Sequence, residues 1–317
     1  MPYHLDCDED VCSGITRIIE EQNLKAGRAL TQHEDHRKGI HKARKCCKRI
    51  RAALRLIRPH LDSAFDHENA HYRDIARGIA PMRDAVAAVE TIAALKEAFP
   101  KTSVDLDALH HVFAERLRRQ DDPEARETRE TEALAALDAG RDRLPDLVPA
   151  GLTLDDLRPG LQRVYAKGRE RLNRVREQAN AHTCHEWRKS VKYLVNMSRV
   201  LQARLAAITP DYIERLQALA THLGNEHDLA ELKRQLRPLS RKDAELSHVN
   251  GAFALINHRR RRLQRRALAL GDELFGADVD DFVQACFARP PATYCDPAEA
   301  DAHDNAAAAA AALMQPV

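Results

Sequence analysis

The sequence is short of everything that builds a sheet protein. Aromatic residues make up 4% of its 317 residues and there are only 12 glycines, while Ala, Leu, Arg and Glu abound, a composition that suits helices. Strand signals are scarce. No window approaches 18 apolar residues, so no transmembrane helix is expected. The N-terminal MPYHLDCDEDVCSG lacks a basic start followed by an apolar run and does not read as a secretory signal, which gives a cytosolic expectation. Seven cysteines, odd in number and without any C-x-x-C, fit neither a disulfide framework nor a zinc ribbon. Cys46 and Cys47 read instead as small core residues. The phosphate-loop, dinucleotide and nucleophile-elbow signatures are missing too. Neither catalysis nor a cofactor is expected.

One further absence is local. From His36 to Leu61 there is no Asp or Glu, although ten Lys and Arg fall between Arg37 and Arg58 and the whole chain carries a net charge of only +2. Ile40, Ala43, Cys47, Ile50, Leu54, Ile57 and Leu61 recur at spacings of three and four, the core-facing stripe of a helix, and Pro59 is placed to close it. At 100° per residue, His41, Arg44, Lys45, Lys48 and Arg55 fall in a band of about 100° opposite that stripe. They form a cationic rail roughly 20 Å long. Ordinary solvated faces mix signs, because like charges three or four apart destabilise a helix by a few tenths of a kcal/mol. Either internal acids or an anionic ligand must cover this one.

The rail occurs twice. H-x-x-R-K-x-x-K at His41, Arg44, Lys45 and Lys48 returns as His185, Arg188, Lys189 and Lys192, and Arg55 maps to Arg199, all at an offset of 144. The stripe follows: Ala43 to Trp187, Cys47 to Val191, Ile50 to Leu194, Ile57 to Leu201. Arg83-Asp84 lands on His227-Asp228. An unbroken offset through two segments predicts two equivalent helical units, 14–143 and 154–275. In the first, helices are expected near 14–31, 34–58, 66–97 and 103–143. The proline- and glycine-bearing 144–160 is the joint. NHRRRRLQRRALALGDELF adds the cations Arg259, Arg262 and Arg266 on the last long helix. From 276 to 317 a short helix and then an Ala-rich tail, disordered after Arg289, are expected.

At these residues the sequence resembles the CHAD domain, the conserved histidine α-helical domain. The paired H-x-x-R-K-x-x-K helices, the R-D helix after the first and the LG-x-x-HDL segment after the second carry the resemblance over about 14–275. It implies an all-α fold of two pseudo-symmetric four-helix bundles with a basic groove or pore between them. It also implies binding of inorganic polyphosphate and location at polyphosphate granules, where granule-associated proteins would be further partners. Carried over by position, the implied contacts are Arg37, His41, Arg44, Lys45, Lys48, Arg49, Arg51 and Arg55, then His185, Arg188, Lys189, Lys192 and Arg199. Arg73, Arg83, His227, Arg259, Arg262 and Arg266 are further candidates. The second copy is thinner: Arg49 becomes Tyr193, Arg51 becomes Val195, and Glu186 adds an acid. The E-x-E-x-K motif of the triphosphate-tunnel domain to which many family members are fused is absent, so hydrolysis is not implied.

Arg forks and Lys charges suit phosphate oxygens, and tighter binding is expected at pH 6 than at pH 8 if the two rail histidines are recruited as cations. Nucleic acid is the rival anion. The rails offer Trp187 and Tyr193 at most for base stacking, and Trp187 falls on the apolar stripe. The pairs His33/His36, His67/His71 and His182/His185 share helix faces without a third ligand, too little for a metal site. Asp84 and Asp228 read as buried partners for the rail arginines.

Overall fold

A computed structural model describes residues 3–32, 34–81, 83–119, 122–238 and 247–288, and every regular element among them is helical. In chain order these are α1 (Val11–Thr31), α2 (His36–Leu56), α3 (Asp62–Gly78), α4 (Arg83–Ala98), α5 (Leu106–Arg119), α6 (Pro123–Asp142), α7 (Leu144–Leu147), α8 (Arg158–Glu177), α9 (Ala181–Leu201), α10 (Pro210–Leu236), α11 (Ser247–Leu274) and α12 (Val279–Phe287). The expected tail after Arg289 lies outside the described residues.

Caps explain where the two rail helices begin. The Asp35 side chain accepts from the backbone N–H of Arg37 at 2.9 Å and of Lys38 at 3.3 Å, which places a negative charge at the positive end of a helix that contains no acid. At the start of α9 the neutral Asn180 side chain accepts from the backbone N–H groups of His182 and Thr183, in a capping box with Thr183. Helix α2 then buries the expected stripe, with Ala43, Cys47, Ile50, Leu54 and Ile57 all inaccessible or nearly so. Ile40 is only partly buried at its edge. Each fully buried Ile or Leu contributes about 1.5–3 kcal/mol, so Ile50→Ala would cost α2 about 2–5 kcal/mol.

The chain departs from the expected helix boundaries at two places. The expected helix 66–97 is two helices, α3 and α4, because Pro81 has no N–H to give and disfavours the helical conformation of its predecessor. The expected helix 103–143 is also two: Asp122 caps α6 by accepting from Ala125 N–H at 3.1 Å, and Pro123 occupies its first turn. The joint 144–160 contains the short α7 and a 3-10 turn at Asp155–Leu157, and α8 already begins at Arg158.

Helix α1 packs on α2, α2 on α3, α3 on α6 and α6 back on α1. In the second half α8 packs on α9, α9 on α10, α10 on α11 and α11 back on α8. One continuous core runs through both groups, joined where α2 meets α8 and α9. Gly160 makes that approach possible, since a Cβ there would stand 2.2 Å from the carbonyl oxygen of Leu56. A second apolar cluster, with Ile92, Leu109, Phe113, Leu232 and Ile256 among its members, ties α4 and α5 to α10 and α11.

The two halves also hold one another by their ends. Leu5 N–H donates to the carbonyl of Val200 at 2.9 Å, and Arg204 donates to the carbonyls of Asp6 and Glu9 at 3.1 and 2.8 Å. On the other side, His60 meets the carbonyl of Asp156 at 3.3 Å. Residues 60 and 204 are again 144 apart. Each half's leading segment thus grips the far end of the other half's rail helix.

Candidate functional site

Both rails lie where the sequence places them, opposite the buried stripes. On α2, His41 and Lys45 are exposed, while Arg44 and Lys48 are half-buried. On α9 only Lys189 of the motif is exposed; His185, Arg188 and Lys192 are half-buried. Arg37 is exposed at the start of α2.

Helices α2 and α9 pack on each other, and Arg55 of the first rail meets Tyr193, a residue beside the second. The Arg55 guanidinium sits 3.7 Å from the centre of the Tyr193 ring and 5.6 Å from that of Phe65, and donates to the carbonyl of Arg51 at 2.7 Å. Arg51 lies 5.9 Å from the same tyrosine and donates to the Asn69 side chain at 3.0 Å. Burial lowers the Arg55 pKa to about 10, so the group stays charged at neutral pH. Across the junction Arg199 is near enough to Tyr3 to act on its phenol and reaches the Gln217 side-chain oxygen at 3.5 Å.

Arg49 is a correction. It is 4% exposed, its guanidinium lies 4.7 Å from the Tyr3 ring centre, and one of its nitrogens is 3.4 Å from the Gln22 oxygen. It faces the α1 side with the core stripe and leaves the set of residues open to a ligand. A 100° rotation from Lys48 toward Ile50 accounts for this.

Several of the cations already have protein partners. Arg44 donates to the carbonyl of Ala76 on α3. Lys189 pairs with Glu186, which also accepts from Arg171 at 3.0 Å. Arg73 is held by its exposed neighbour Asp74 at 2.8 and 2.9 Å. The side chain of Arg83 lies outside the described set.

His185 is packed against His227 of α10, with Nδ1 atoms 3.2 Å apart. Burial, then the neighbouring His227, Lys189 and Arg188, lowers the His185 pKa to about 4. His227 is lowered as well, by burial and then Arg188, against the opposing pull of Asp228, Glu231 and Asp84. The expected pH window therefore moves: in the ligand-free chain His185 is neutral at both pH 8 and pH 6.

The acids are not where the sequence pattern puts them. Asp84 is exposed and Asp228 half-buried, and neither forms an ion pair among the described residues. The buried acid is Glu226 in the same LGNEHDL segment. It is fully buried and pairs with Arg260 of α11 while Gln264 donates to it at 2.9 Å. Its position one residue before the His227-Asp228 pair, on the α10 face toward α11, was the signal available for it.

His67 and His71 stack on each other, and among the described residues no group of three or more His, Cys, Asp or Glu could hold a metal ion. No helix among the described residues is long and apolar enough to cross a membrane.

The sequence profile of the CHAD domain matches residues 21–237, more than half of the chain, and the chain belongs to that family. Among solved structures, the CHAD domain from the plant Ricinus communis superposes with a TM-score of 0.55 at 18% identity, covering 90% of this chain and 95% of that one. PptA from Streptomyces chartreusis superposes at 0.57 with 15% identity, covering 85% and 100%. At such identities the likeness is one of fold. No curated protein matches the chain.

Proposed function

We propose that the chain is a non-catalytic module that binds inorganic polyphosphate along the α2 and α9 rails, in a groove between two repeats, 14–143 and 154–275, and that this binding directs it to polyphosphate granules. The CHAD family is associated with polyphosphate. The observation that carries the reading is the packing of α2 on α9, with the Arg55 guanidinium over the Tyr193 ring, which supports a shared surface for two cationic faces from distant parts of the sequence. The closing of each half into a ring of four packed helices, and the matched end contacts at residues 60 and 204, support the repeat.

A polyphosphate offers a row of charges and no bases to read. Guanidinium and ammonium groups in a row match it through charge-assisted hydrogen bonds. RNA is the second reading for such a surface, but the rail aromatics are occupied: Trp187 is fully buried and Tyr193 lies under Arg55.

The test is a calorimetric titration with long-chain polyphosphate at two salt concentrations, with ATP and single-stranded RNA as competitors. Tight binding that weakens steeply with salt and resists both competitors supports the proposal. Binding no tighter than that of ATP or RNA overturns it.

A further inference from the structure

The second half carries a cluster of cations that the repeat does not supply. Arg259, Arg262 and Arg266 follow one another on α11 at spacings of three and four and so share one face. His222 on α10 faces them, and two of them act on it electrostatically: burial and then Arg266 and Arg259 hold its pKa below the ordinary value. Burial and then Arg262 and Arg266 likewise lower that of Arg259. The positions 144 earlier are Gly78, Glu115, Arg118 and Asp122, which is no such cluster.

None of these four residues forms an ion pair among the described residues, whereas the adjacent Arg260 is satisfied by Glu226. Arg259 lines a cavity of about 190 Å³ between α4, α10 and α11, together with Thr91, Asn225, Glu90 and Asp228. Glu90 of α4 and Asp228 of α10 bring carboxylates to this cavity. On α10, His222 lies one turn before Asn225, so the cations lead away from the acids. His222 and His227 are five residues apart and point roughly 140° from each other around α10, which separates this patch from the face that meets α9.

We propose that His222, Arg259, Arg262 and Arg266 form a second anion site, distinct from the rails, that takes a compact ligand with adjacent phosphoryl groups. Like charges three and four apart on a helix repel, and guanidinium groups on one face that form no ion pair among the described residues are satisfied by an anion that offers many oxygens. From Arg259 to Arg266 the helix rises roughly 10 Å, about half the length of a rail. A short oligophosphate spans it.

The experiment titrates tripolyphosphate into the full chain and into three variants: Arg259→Gln/Arg262→Gln/Arg266→Gln, the milder Arg262→Gln/Arg266→Gln, and the rail variant Lys45→Gln/Lys189→Gln. Stoichiometry is read by calorimetry and the His222 imidazole by NMR. The wild type is expected to bind at the patch with an upward shift of the His222 titration midpoint. Both arginine variants lose that equivalent and that shift, while the rail variant keeps them. If the arginine variants retain every equivalent at wild-type affinity, or the His222 midpoint stays fixed at saturation, the second site is refuted. Loss of rail binding is read separately in the rail variant, so failure of one site does not hide failure of the other. Repeating the titration with ATP shows whether the triphosphate alone is the ligand or a nucleoside adds to it.

Discussion

The two rail helices occupy equivalent places and solve different problems. Helix α2 carries nine Lys and Arg and no acid, and its core side sets the small residues Ala43, Cys47 and Ala53 beside Ile50 and Leu54. Helix α9 has given part of its charge away. Glu186 ties down Lys189 and Arg171, His185 is packed on His227, and Trp187 fills the core where α2 has Ala43. At one equivalent position the roles are exchanged: Arg49 lies against the Tyr3 ring, while Tyr193 lies under Arg55. The Arg49–Tyr3 pair lies within the first half and the Arg55–Tyr193 pair crosses the junction, each worth roughly 0.5–2 kcal/mol. Positions 144 residues apart thus keep their place on the helix more strictly than their chemistry: α9 ties up in internal contacts part of the charge that α2 leaves exposed.

The sharpest way to break this division is charge reversal on both rails. Lys45→Glu/Lys189→Glu is expected to abolish polyphosphate binding in calorimetry while circular dichroism stays native, since both side chains are exposed. With about 1.5–3 kcal/mol for each charge-assisted hydrogen bond removed, affinity drops roughly 100-fold or more. Lys45→Glu alone is expected to cost more than Lys189→Glu alone, and equal losses would mean that Glu186 does not weaken the second rail.

Trp187→Ala tests the other side of the comparison. It removes a fully buried ring packed against Phe275 and over Gly271, and urea denaturation is expected to show a loss of about 3–5 kcal/mol. A loss under about 1 kcal/mol would mean that α9 is not the structural partner.

Glu186→Gln should narrow the difference between the rails. Releasing Lys189 and Arg171 from a partly exposed carboxylate is worth about 0.5–1 kcal/mol, so polyphosphate is expected to bind roughly two- to five-fold more tightly.

The smallest expected effect is on pH dependence. The folded His185 pKa of about 4 lies below the unfolded value of ~6.5, so its contribution to stability is intact above ~6.5 and is lost as pH falls toward 4. His227 is shifted in the same direction. Melting temperature without ligand should therefore fall between pH 7 and 4, less steeply in His185→Gln. Affinity for polyphosphate is expected to rise over that acidic interval through the second rail. An unchanged slope in the variant would assign the effect to other groups.

Much of this arrangement was legible in the sequence because helical periodicity puts the stripe and the rail on opposite sides of α2 and α9. The breaks after α3 and α5 were legible as well, in Ala80-Pro81 and in Asp122-Pro123. Arg49 was misplaced because a single residue at the edge of the rail turns inward once Tyr3 offers it a ring. That pairing joins residues far apart in the chain, and periodicity carries no record of it. The same limit hid Glu226, whose role depends on Arg260 arriving from α11.

The reciprocal grip at the ends of α2 and α9 has a consequence for ancestry. If a half-length chain once stood alone, it could have met its own copy about a two-fold axis, each leading arm reaching across to the partner, as in an exchanged dimer. Joining the two copies end to end would then turn that symmetry from an interface into a sequence. From that moment each copy was free to drift, as Glu186 and Trp187 have against Lys42 and Ala43.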